Sequence, residues 1–105
     1  MASVLQQLAS WYRLQCDGDW EHQYGIKIDT LDNPGWSVKI DLTETKLAEE
    51  SFDELKIEFD DDIRWIRCWK VGSEFHAACG PERLEAALQV FLSWAEGRTP
   101  PPRAS

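Results

Sequence analysis

At 105 residues the chain is the length of one domain, large enough to fold without disulfide or metal staples. Its 43% hydrophobic content and six tryptophans exclude a disordered chain, its net charge of −8 disfavours nucleic acid and anionic membranes as partners, and three widely spaced cysteines, Cys16, Cys68 and Cys79, fit neither a disulfide framework nor a structural zinc site. No run approaches the about 18 consecutive apolar residues of a membrane span, and MASVLQQLAS lacks the basic start and apolar stretch of a signal peptide, so a cytoplasmic protein without a cofactor is expected.

From Ser3, a candidate N-cap, the apolar positions Val4, Leu5, Leu8, Trp11 and Tyr12 recur at helical spacing and predict a first helix to about Cys16, stopped by Asp17 and Gly18. Tyr24–Asp29 and Trp36–Leu42 alternate apolar and polar residues as half-buried strands. Between them LDNPGW predicts a type II turn in which Gly35 takes positive φ. Thr43–Asp53 reads as a polar connection, and Leu55, Ile57 and Phe59 mark a third strand turned by Asp61 and Asp62. Ile63–Val71 is a fourth strand, with Ile63, Trp65, Arg67, Trp69 and Val71 on the expected core face. Gly72 and Ser73 turn it into a fifth strand, Glu74–Cys79. Gly80 and Pro81 open the last helix, with Leu84, Ala87, Leu88, Phe91 and Leu92 as its apolar face and Gly97 as terminator.

This order predicts an α+β domain over residues 1–97, an antiparallel sheet of about five strands with the N-terminal and C-terminal helices on one face. The connections between strands are short enough for sequential antiparallel neighbours. Residues 98–105, with three consecutive prolines, are expected to be a flexible tail.

The excess charge is concentrated. Asp41–Asp62 holds ten carboxylates and two lysines, a net of −8, while the rest of the chain carries nine charges of each sign. Such a stretch attracts a basic protein, and it equally suits a solvated loop that serves solubility alone.

Two constellations invite a chemical reading. CDGDWEH, Cys16–His22, packs a thiol, three carboxylates and an imidazole into seven positions, and Asp17, Asp19 and Glu21 alternate as calcium-loop ligands do. The glycine is at the second position rather than the sixth, however, and no glutamate follows at the twelfth. A sharp corner whose side chains satisfy backbone donors needs the same residues. CGPER, Cys79–Arg83, places a cysteine between a strand and a helix with an arginine nearby, as an activated nucleophile requires. Pro81 removes one of the backbone donors that an anion-binding loop uses, which favours Cys79 as a small core residue. A small enzyme or metal-binding protein built on Cys16–His22 or Cys79 is the alternative reading. Trp11, Trp65, Trp69 and Trp94 fall on expected inward faces, whereas Trp20 and Trp36, at loop ends, suit either a lid on the core or an exposed anchor for a partner.

The run WYRLQCDGDWEHQYGIKIDTLDNPGW, Trp11–Trp36, then IDL at Ile40–Leu42, GP at Gly80 and Pro81, and FLSW at the end of the last helix resemble the immunity protein 53 family of bacterial polymorphic toxin systems. The resemblance covers the chain up to Trp94. It implies a small cytoplasmic, non-enzymatic protein that binds a toxin encoded beside it and protects the producing cell. The residues expected to meet the toxin are Asp17, Asp19, Trp20, Glu21, His22 and Trp36 around the two signature loops, and Glu49, Glu50, Asp53, Glu54, Asp60, Asp61 and Asp62 in the acidic stretch. A basic toxin, a nuclease among the candidates, fits that charge.

Overall fold

The computed structural model describes residues 3–58 and 60–97. In chain order the elements are α1 (Val4–Gln15), α2 (Trp20–Gln23), β1 (Ile26–Leu31), β2 (Gly35–Asp41), β3 (Leu55–Ile57), β4 (Ile66–Val71), β5 (Glu74–Cys79) and α3 (Leu84–Ala95). This is the expected α+β arrangement, with α2 as an added single turn. No helix among the described residues is long and apolar enough to cross a membrane. The expected tail, residues 98–105, and Phe59 of the third strand lie outside the described residues.

Local chemistry fixes both ends of α1. The Ser3 hydroxyl accepts from the Gln6 N–H at 3.1 Å and the Gln6 side chain accepts from the Ser3 N–H at 2.8 Å, a reciprocal cap for two donors the helix leaves open. At the other end Gly18 takes a φ of +97°, which carries the chain away from the helix.

The strands form one antiparallel sheet in the order β1-β2-β5-β4-β3. This corrects the expectation of sequential neighbours: after β2 the chain crosses to the far edge, and β5 returns between β2 and β4. The crossing segment, residues 42–54, is better anchored than its polarity suggests. Leu42 and Leu47 are buried, Phe52 packs on the core, the Lys70 ammonium donates to the Ala48 carbonyl at 2.9 Å, and the Trp94 indole donates to the Ser51 carbonyl at 2.9 Å. Burying two leucines and an aromatic offsets the entropy of ordering a long connection.

The two glycines and the proline of the turns act differently from expectation. Gly35 does not take positive φ. A Cβ there would collide with the Cys79 carbonyl oxygen across the β2–β5 pair, so close backbone approach is what excludes a side chain. Gly80 is confined in the same way against the Ile63 carbonyl. Pro81 lies in a turn ahead of α3, whose N-cap is Arg83, and is not the first helical residue.

The core face of β4 is the reverse of that expected. In the strand Ile66 and Cys68 are fully buried, whereas Arg67 and Trp69 are half-buried and Val71 is exposed; exposed Ile63 and half-buried Trp65, expected on this strand, lie before it. Two-residue alternation defines two faces and does not say which one is covered. Here α3 decides, lying over β4 and β5, where Cys68 stands directly opposite Ala77. That pair of small side chains leaves room for Phe75 and Phe91, 5.1 Å apart, which a pair of tryptophans would fill. Helix α1 packs on α3 and reaches the core through Leu8 and Trp11. Edge-to-face ring contacts then run from Trp20 through Trp11 to Phe91 and from Phe75 to Phe52, joined by a tilted pair between Phe91 and Phe75.

Candidate partner-binding surfaces

At the Cys16–His22 corner two carboxylates take up four consecutive backbone donors. Asp17 Oδ1 accepts from the N–H groups of Asp19 and Trp20 at 2.9 and 3.0 Å. Glu21 accepts from the N–H groups of Asp17, at 3.0 Å, and Gly18, at 3.0 and 3.2 Å. The hydrogen bonds from Trp20 and Asp19 hold the Asp17 carboxyl below the ordinary carboxylate range. Asp17 and Glu21 are thus the residues that shape the corner, while Asp19 and His22 remain exposed. The Cys16 thiol lies 3.3 Å from the Tyr12 carbonyl and donates to it. Among the described residues, no three His, Cys, Asp or Glu side chains converge so as to hold a metal ion.

Trp20 is the corner's anchor to the core. It is 2% exposed, stands 6.1 Å from the rings of Trp11, Tyr12 and Tyr24, and donates its indole N–H to the Thr43 carbonyl at 2.9 Å. Of its two readings the structure selects the lid. Trp36 stands at the other end of β2, half-buried, with its indole N–H on the Pro81 carbonyl at 3.0 Å. The two signature loops therefore do not converge on one site.

The CGPER segment lacks the geometry of an anion-binding nucleophile. Cys79 is fully buried, and burial pushes its thiol up to about 11; burial and the nearby Cys79 push Cys68 up to about 12. Both remain protonated near neutrality, the opposite of an activated thiolate. The Arg83 guanidinium is engaged by Glu58 at 2.8 Å and the Arg64 carbonyl at 3.2 Å.

The acidic stretch divides into two sets. Four of its ten carboxylates bind within the molecule. Asp41 accepts from the Thr43 N–H, Glu54 pairs with Arg67 at 2.6 Å, Glu58 pairs with Arg83, and Asp61 accepts from the N–H groups of Ile63 and Arg64, both at 2.8 Å. The Arg67 hydrogen bond lowers the Glu54 pKa, and the two backbone donors lower that of Asp61. The other six, Glu44, Glu49, Glu50, Asp53, Asp60 and Asp62, are exposed and pair with no other described residue. Glu44 and Glu58 also take left-handed backbone angles, φ of 65° and 47°, alone among the described non-glycine residues. Backbone held in that region is strained for a residue other than glycine.

Of the thirteen residues expected to meet a partner, Trp20 is buried, Asp17, Glu21, Trp36, Glu54 and Asp61 have structural partners, Asp19 and His22 are exposed at the corner, and Glu49, Glu50, Asp53, Asp60 and Asp62 are exposed between the crossing connection and the turn after β3. The face of the sheet that carries Arg67 and Trp69 of β4 is covered by no described element, and the alternation of β4 alone does not identify it.

No match was found among curated proteins or solved structures. A family model described as Immunity protein 53 matches residues 5–96, which takes in every described element except the first residue of α1. Matched over most of its length, the chain belongs to the immunity protein 53 family.

Proposed function

We propose that this protein binds a cognate bacterial toxin in the cytoplasm and neutralises it without catalysis, and that the toxin meets the segment from Glu44 to Asp62 through a basic surface. The family supplies the role. The observation that carries the choice of surface is the set of six exposed carboxylates with no partner among the described residues, four of them, Glu44, Glu49, Glu50 and Asp53, on a connection pinned to the core by Leu47, Phe52 and the Ser51–Trp94 hydrogen bond. Fixed backbone and free charge together make an electrostatic docking edge that steers encounter and orders little on binding. A nuclease toxin is a natural occupant, because a protein that binds phosphate carries the required basic patch. The net charge of −8 disfavours nucleic acid and anionic membranes as partners of the protein itself.

Mixing with the toxin encoded by the adjacent gene tests this. A stoichiometric complex is expected, with an association rate that falls as salt rises through the range where the Debye length contracts from about 30 to 10 Å. Failure to associate at low ionic strength overturns the reading.

A further inference from the structure

The two edges of the sheet differ in what they leave open. The β3 edge is three residues long and stops at Glu58, whose left-handed φ of 47° turns the chain out of the strand. The β1 edge runs for six residues, IKIDTL, without proline or positive φ, and pairs only with β2. Short or broken edges keep sheets from adding a further strand, and β1 is neither. Its lysine, which on an edge would repel an added strand, has an aspartate two residues on and on the same face.

Which backbone groups face outward follows from the register. The Asp41 N–H donates to the Gly25 carbonyl at 3.0 Å, one step beyond the Ile26–Ile40 pair. Hydrogen-bonded and non-bonded pairs alternate in an antiparallel ladder, so Lys27, Asp29 and Leu31 turn their N–H and C=O groups to β2, while those of Ile26, Ile28 and Thr30 point away from the sheet. The side chains divide in the same way. Ile26 and Ile28 lie on the core face, opposite buried Ile40 and Val38, and Lys27 and Asp29 lie on the open one. Yet Ile28 is 38% exposed, and next along the strand a groove of about 470 Å³ opens between Ile26 and α1, where Leu5 and Tyr12 are 68% and 40% exposed.

We infer that two copies of this chain join through β1 about a two-fold axis at Ile28, each sheet continuing into the other. In this register Ile28 faces Ile28 and Ile26 faces Thr30, the outward groups of each pair exchanging both of their hydrogen bonds. Lys27 of each copy then stands opposite Asp29 of the other, and neither residue has an ion pair among the described residues. The added carboxylate also offsets the repulsion of Lys39, which lies opposite Lys27 within the sheet. An axis at Lys27 or at Asp29 would align the same backbone groups, but would set lysine against lysine or aspartate against aspartate. Charge therefore selects one register, and that register is self-complementary, as a two-fold interface requires. The axis stands perpendicular to the sheet, so both helix layers fall on one side and the exposed Leu5, Tyr12 and Ile28 of the two copies flank the seam. This pairing goes beyond the proposed function and leaves the far edge, β3 and the turn after it, free for the toxin.

Sedimentation equilibrium of the full chain tests this, with circular dichroism to show that each variant is folded. The unaltered protein should sediment at twice its 12.1 kDa at about 100 μM. Lys27→Asp and Asp29→Lys each set like charges opposite in both pairs of the dimer and should weaken association by about tenfold or more, whereas Lys27→Asp/Asp29→Lys exchanges the partners and should restore it. A monomer at that concentration overturns the inference. So does a dimer that both single variants leave intact, or one that the double variant fails to restore. Weaker toxin binding by a monomeric Ile28→Pro variant, which loses an outward N–H and keeps the ladder to β2, would assign the edge to a strand of the toxin and overturn it as well.

Discussion

The Cys16–His22 corner and the Asp41–Asp62 stretch have similar densities of carboxylate in the sequence and use it in opposite ways. At the corner, Asp17 and Glu21 close on the N–H groups of residues 17–20 and Trp20 is sunk into the core. In the stretch, six carboxylates are exposed, four of them on a connection that Leu42, Leu47 and Phe52 hold to the core. A carboxylate with nearby backbone donors shapes the chain, whereas one without them remains available to a partner. Polar density alone distinguishes neither case, because the local geometry decides it.

The largest effect that would sharpen this contrast is Trp20→Ala. Truncating a tryptophan that is 2% exposed should lower stability by about 3–5 kcal/mol, readable by urea denaturation. A loss below about 1 kcal/mol, the scale of a surface substitution, would return the corner to the surface and break the comparison.

A smaller effect appears in acid. The folded-state pKa of Asp17 is depressed by its backbone donors, so its contribution to stability is complete above the unfolded-state value of about 3.9 and is lost as pH falls through the folded one. Asp61 has the same sign and cause. Asp17→Asn should therefore flatten the acid limb of a stability-against-pH curve measured from pH 5 to about 2. Asp53→Asn, at an exposed position with no described partner, should leave that limb in place; equal flattening by both would erase the distinction.

Much of the fold could be read from the chain because its signals are local. Ser3, Gly18, the Gly72–Ser73 turn, the strand Glu74–Cys79 and the Gly97 terminator all act within a few residues of themselves. The family resemblance on Trp11–Trp36 was legible for the same reason. What escaped depends on distant partners. The inward face of β4 is set by α3, the sheet order by the return of β5 between β2 and β4, and the need for glycine at position 35 by a carbonyl at position 79. At the site, the stretch's excess charge was visible in the sequence. The loss of Glu54 and Glu58 to Arg67 and Arg83, residues 13 and 25 positions away, was not.

The central claim, that the exposed carboxylates of the acidic stretch serve a partner and not the fold, is tested most directly by association kinetics of Glu49→Gln/Glu50→Gln/Asp53→Asn with the toxin at low and high salt. The account predicts a melting temperature close to that of the unaltered protein, slower association at low salt and a shallower salt dependence. Unchanged association at both salts would contradict it.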